Sequence, residues 1–150
     1  MVEERKFSLG VFVCIFNRDF SKILLLKRNE QKRKKSGREW GNIGGMIEFG
    51  ELARDACLRE AREEIGLELE PEKLKLIKVR EMPQFSEIFH AVQFVYATII
   101  DENEKIEINE ESDEFKWISL DDLPDKMLDK KQDILDIAEK AKKIWACGLE

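Results

Sequence analysis

The segment from Glu51 to Gly66 constrains this chain more than any other. A helical pattern begins at Glu51 and ends at Gly66, a natural stop. At roughly 100° per residue, Glu60, Glu63 and Glu64 fall within an arc of about 100°. Ala53, Ala56, Cys57 and Ala61 interleave with them, while Arg54, Asp55 and Arg62 lie toward the opposite side. The acidic face is therefore also the small apolar face, which an amphipathic helix turns toward a core. Carboxylates crowded there repel one another, and a divalent cation is the simplest compensation. Oxygen ligands of this kind select Mg²⁺, Mn²⁺ or Ca²⁺. The competing reading is a solvated acidic face paired to Arg59 and Arg62, and periodicity alone does not decide between them.

Around this helix the pattern is mostly strands. Phe7–Phe16 and Lys22–Lys27, separated by Asn17-Arg18-Asp19, read as a hairpin. Arg28–Arg38, with Lys32-Arg33-Lys34-Lys35, reads as an exposed loop, either merely solvated or a positive arm that attracts an anionic ligand. Leu74–Val79 and Ile88–Ile100 read as strands, the second apolar enough for the middle of a sheet. Phe115–Ile118 reads as a last short strand. Ser119-Leu120-Asp121-Asp122 opens a turn or short helix that Pro124 closes, and Met127–Trp145 has a helical apolar period. The expectation is a mixed α/β sandwich, with the acidic helix on one face of a sheet and the terminal helix on the other.

With 43% hydrophobic and 39% charged residues, the 150-residue chain fits one domain over 1–150. No apolar run approaches the roughly 20 residues that span a bilayer, and the start, Met1-Val2-Glu3-Glu4-Arg5-Lys6, lacks a secretory pattern. The expected location is the cytoplasm, without membrane contact. Three scattered cysteines (Cys14, Cys57, Cys147) and the single histidine, His90, exclude a disulfide scaffold and most zinc sites, so any metal should be a hard ion held by oxygen. The net charge of -6 argues against general nucleic-acid binding, although basic residues are concentrated in the first third and acidic ones in the last.

Gly45-(five residues)-Glu51-(seven residues)-Arg59-Glu60-Ala61-Arg62-Glu63-Glu64-Ile65-Gly66-Leu67 resembles the signature of the Nudix hydrolases, with every fixed position filled. Ala61 stands where a larger aliphatic is commoner. Ile43 stands where members often carry proline before the two glycines, which implies a less rigid loop. The resemblance covers the chain up to about Pro124 and implies a Nudix-type α/β/α sandwich with a mixed sheet.

It further implies Mg²⁺- or Mn²⁺-dependent hydrolysis of a nucleoside diphosphate linked to another moiety, by attack of metal-activated water on phosphorus. The metal shell carried over is Glu60 and Glu64, with Glu63, the Gly44 carbonyl and Glu111 from outside the helix; Glu110 and Glu114 are alternatives to Glu111. Glu60 or Glu63 is the implied base. Glu51 and Arg59 are expected to pair in an orienting role, and Arg59 also reaches Glu63 at i,i+4. Arg28 and Gly45 are candidates for substrate contact, with no fixed family motif behind Arg28. The partner is a small nucleotide, a (d)NTP or an ADP-ribose-like sugar nucleotide, the latter hinted at by Pro83, sixteen residues after Leu67. A homodimer is compatible with this reading. The alternative is a non-catalytic, Nudix-like nucleotide-binding regulatory module. An allyl-diphosphate isomerase would need a cysteine in the loop before the signature, and none is there. His90 and Cys57 read as packed core residues, and Phe85, Phe89, Phe94 and Tyr96 as core or sheet surface.

Overall fold

Val11, Val13 and Ile15 point to one side of the first strand and Phe12, Cys14 and Phe16 to the other, all at most 6% exposed. A strand apolar on both faces requires a cover on each. The computed structural model, which describes residues 4–148, supplies both covers. Met1-Val2-Glu3, part of the N-terminal segment read above, lie outside the described residues.

The elements are β1 (Lys6–Phe16), β2 (Lys22–Arg28), α1 (Glu30–Ser36), β3 (Trp40–Gly41), β4 (Ile43–Met46), α2 (Ala53–Ile65), β5 (Lys75–Met82), β6 (Phe89–Ile99), β7 (Ser112–Ser119) and α3 (Lys131–Ala146). Short 3₁₀ turns lie at Pro71–Lys73 and Leu120–Asp122. β1 pairs in parallel with β6 along its whole length and antiparallel with β4, and β6 pairs antiparallel with β5. β2 pairs antiparallel with β3 and β7. α2 seals one core through Ala56, Cys57, Ala61 and Ile65 against Val11, Val13 and Ile15. α3 seals the other through Ile134, Ile137, Ala138 and Ala141 against Phe12, Cys14 and Phe16. This is the mixed α/β/α sandwich expected from the sequence. Among the described residues no helix is long and apolar enough to cross a membrane.

The expected hairpin forms only at its turn. Asn17 Oδ1 accepts from the Ser21 and Lys22 amides at 3.0 and 2.9 Å, and β1 and β2 register only at Phe16–Ile23. Beyond that pair a wedge separates them: Trp40 and Gly41 pair with Lys27 and Leu26, then the chain crosses at Asn42 and Ile43–Met46 pair with Val13–Gly10. The strands therefore diverge, and a cleft opens between them. Ile43, 2% exposed and paired to Val13, is a strand residue, so the missing proline leaves no loose loop.

Arg28–Arg38 is not simply a loop. Asn29 accepts from the Lys32 amide at 3.0 Å and Gly37 closes the end at φ 72°, making a basic helix of seven residues with none buried. Its lack of an apolar stripe hid it from periodicity. β7 extends beyond Phe115–Ile118, and α3 starts at Lys131, four residues after Met127, because Met127 instead bridges to Trp40.

Candidate active site

Four elements converge at the mouth of the cleft: β4, α2, α1 and the segment before β7. Gly44 lies on the edge of β4, and its amide donates to Glu64 Oε2 at 3.1 Å. The next residue lets Glu60 in. A Cβ on Gly45 would lie within 2.9 Å of all three atoms of the Glu60 carboxyl group, so only glycine leaves this space. Glu60 is 9% exposed, and burial pushes its carboxyl upward despite Arg59. Burial also raises Glu64 to about 8; the Gly44 amide opposes this, while Glu60 and Glu111 add to it.

Arg59 holds the frame. Its Nε and Nη2 donate to Glu51 Oε2 and Oε1 at 2.9 and 3.0 Å, Nη2 also to the Met46 carbonyl at 2.9 Å, and Nη1 to Glu60 Oε1 at 2.8 Å. This fork fixes the Met46–Glu51 loop to α2. Hydrogen bonds from Arg59 and the Glu48 segment hold Glu51 down to about 2. Glu63 sits 3.5 Å from Arg59 Nη1 with its side chain 55% exposed, further into solvent than Glu60 and Glu64.

Glu111 enters from the other side. Its amide donates to Asn109 Oδ1 at 3.0 Å, its carbonyl accepts from the Asn29 amide at 3.1 Å, and its carboxylate lies 4.0 Å from Lys32 Nζ. Asn109 completes the joint by donating from Nδ2 to the Glu63 carbonyl at 2.8 Å. One amide thus ties the last turn of α2 to the loop that carries Glu111. Reading the sequence missed Asn109; an asparagine two residues before a candidate ligand was its only signal. Of the acidic alternatives, Glu111 lines the cleft with Glu64, whereas Glu114 pairs with Lys116 at 3.7 Å.

The cleft encloses about 480 Å³ and reaches Arg28, Lys32, Gly44, Gly45, Glu64 and Glu111 at this mouth. A broader cavity of about 810 Å³ lies elsewhere, around Phe7, Pro83 and His90, and holds none of these carboxylates. Pro83 thus sits away from the acidic mouth, and His90 is half-buried against the Phe7 ring, 5.0 Å between centres. Cys57 is buried in the α2 core, which pushes its thiol up to about 12.

The donor set at the mouth is all oxygen, as a hard divalent ion requires: the buried Glu60, the half-buried Glu64, Glu111 and the Gly44 backbone. As they stand the carboxylates are gathered rather than closed on one point; among the described residues no three acidic, histidine or cysteine side chains converge as ligands of one ion.

Comparison with known proteins agrees with this architecture. The chain is 30% identical over 98 residues to a dihydroneopterin triphosphate diphosphatase of Escherichia coli (strain K12), covering 65% of this chain and 61% of that protein. It thus spans less than two thirds of that curated relative. The Haemophilus influenzae protein of the same name is 26% identical over 130 residues, covering 79% and 78% of the two chains. Among solved structures, a MutT Nudix hydrolase from Burkholderia pseudomallei superposes with a TM-score of 0.72 at 26% identity, over 88% of this chain and 98% of that one. The family model for the NUDIX domain matches residues 6–136, a span that holds the whole α2-side core and all the carboxylates above, and the chain belongs to the Nudix family.

Proposed function

We propose that this protein is a divalent-metal-dependent pyrophosphohydrolase acting on a nucleoside diphosphate linked to a further group, with Mg²⁺ or Mn²⁺ as cofactor. The observation that carries the reading is the desolvated Glu60–Glu64 pair, one buried and one half-buried, beside Glu111 at the one end of the cleft where Arg28 and Lys32 also stand. Burying carboxylates together is costly unless positive charge joins them. Arg59 reaches Glu60, but Glu64 has only the Gly44 amide.

In this reading Glu60, Glu64, Glu111 and the Gly44 carbonyl hold the ion, with Glu63 at the margin. When bound, a divalent ion neutralises phosphate oxygens and lowers the pKa of a bound water. Arg28 and Lys32 face the same mouth and draw in the polyphosphate chain. Glu63, loosely held and half-exposed, accepts the proton from the attacking water. Arg59 and Glu51 keep Glu60 aimed, and Gly45 leaves room for it.

The likeness to dihydroneopterin triphosphate diphosphatases favours a triphosphate over an ADP-ribose-like sugar nucleotide as substrate. A non-catalytic sensor would not need the Glu60–Glu64–Glu111 set. The test is incubation with nucleoside triphosphates, dihydroneopterin triphosphate and ADP-ribose in Mg²⁺, products separated chromatographically. Release of a monophosphate and pyrophosphate from a triphosphate, absent with EDTA, supports the reading. Nucleotide binding with no product from any compound removes it in favour of the sensor.

A further inference from the structure

α2 covers only part of its face of the sheet. Side chains alternate along a strand, so Phe7 and Leu9 point to the same side of β1 as Val11 and Val13. The parallel register sets Val92 beside Leu9 and Phe94 beside Val11, and the antiparallel register continues to β5, with Val79 beside Phe94 and Leu76 beside Tyr96. Where α2 lies, Val11, Val13 and Tyr96 are buried. Beyond it the same face is open: Phe7 is 72% exposed, and Leu9, Leu76 and Val79 are exposed as well. Neither of the other helices covers it, since α3 packs on the opposite face and α1 buries no residue.

The loop before α2 widens this strip. Ile47 donates its amide to the Leu9 carbonyl at 2.9 Å, which sets the loop beside the open end of β1. From there it carries the fully exposed Phe49 and the exposed Leu52 before α2 begins at Ala53. Together with the strand residues these side chains show roughly 600 Å² of apolar surface, the upper end of what the largest patch on a monomer spans. With a polar rim, that approaches the about 800 Å² that each partner brings to a stable interface. Charged residues make up 39% of the chain, yet on the open face of the three strands Glu81 is the only acidic or basic side chain besides His90.

We propose that this strip is the interface of a two-fold homodimer, sheet face against sheet face. A two-fold interface sets one patch against its own copy, so the patch must complement itself. An apolar strip does. The charges around it are balanced in sign, Glu81 and Glu87 against Arg5 and Lys6 near Phe7, whereas the chain as a whole carries -6 and repels its copy elsewhere. Interface cores are likewise poor in charge and rich in phenylalanine. The inference does not depend on the hydrolytic reading, because Phe7, Leu9, Leu76 and Val79 lie outside the cleft.

Sedimentation equilibrium from about 1 to 100 μM tests it. The parent should reach twice the mass of one chain within that range, and its melting temperature should rise with protein concentration. Phe7→Arg on β1 and Val79→Arg on β5 replace exposed side chains that no helix covers. Each should weaken association at least about thirtyfold and remove the concentration dependence of melting. Phe49→Asp, on the loop and outside the sheet, provides a third variant should a strand variant fail to fold. A parent that stays monomeric at the highest concentration overturns the proposal, and its binding to phosphatidylcholine vesicles would assign the strip to a membrane surface instead. A dimeric parent whose folded variants associate as tightly as it does also overturns the proposal, because another face then makes the contact. Hydrolysis assays on the same samples separate the two readings. A monomeric, active parent removes the interface alone, whereas a dimeric parent inactive on triphosphates and ADP-ribose keeps the interface and removes the hydrolytic reading.

Discussion

Gly45 and Glu60 occupy adjoining space so tightly that the glycine hydrogen stands where any side chain would displace the carboxylate. Gly45→Ala should therefore push Glu60 off its position while leaving the β1–β4 pairing largely intact. A misplacement of about 1 Å at a reacting centre costs on the order of 10²-fold in rate. Steady-state kinetics with a thermal melt would check this, and a folded Gly45→Ala variant within threefold of the parent would show that Glu60 need not sit there.

Glu64 links charge, metal and stability. Its carboxyl titrates near 8 in the fold and near 4.5 when free, so the metal-free folded state keeps a proton that the unfolded chain releases. Stability of the metal-free protein should accordingly fall as pH rises from 4.5 through 8. Glu64→Gln should flatten that slope, gaining on the order of 3 kcal/mol above pH 8, while turnover drops by about 10²-fold or more. Denaturant melts at several pH values in EDTA would detect the slope, and parallel curves for parent and variant would contradict the assignment.

The Glu51–Arg59 fork has the opposite sign. Glu51 is held near 2 against 4.5 when free, so its contribution is complete above 4.5 and is lost as pH falls toward 2. Glu51→Gln should lower the melting temperature at neutral pH and make it less sensitive to acid between 4.5 and 2. A variant that loses stability in acid as steeply as the parent would place the acid-sensitive group elsewhere.

Asn109 positions Glu111 against α2 through two hydrogen bonds. Asn109→Ala should raise the Mg²⁺ concentration for half-maximal rate about tenfold, with a smaller effect at saturating ion. Mn²⁺ binding followed by electron paramagnetic resonance gives the same comparison without substrate. Unchanged ion affinity would reduce Asn109 to a loop brace.

The acidic helix and the terminal helix were legible because each carries its apolar stripe within its own residues: Ala56, Cys57 and Ala61 in one, Ile134, Ile137 and Ala141 in the other. The relation of Glu51 to Arg59 was legible from the signature spacing, although Glu51 lies before α2, in the loop that Arg59 ties down. α1 was not, since a capped basic helix with nothing buried leaves no hydrophobic period. The divergence of β1 and β2 was hidden too, because β3 and β4 come between them from later in the chain. Asn109 acquires its place only through such distant contacts, and in sequence it is an ordinary polar residue.

The crossing of the chain at Asn42 has a consequence for how such a protein can change over time. Strands anchored to α2 furnish the reactive end, whereas the far wall comes from β5 and β6, which contact α2 little. Exchanges at Arg80 or Gln93 can therefore accumulate over generations without disturbing the packing that holds Glu60 and Glu64 in place.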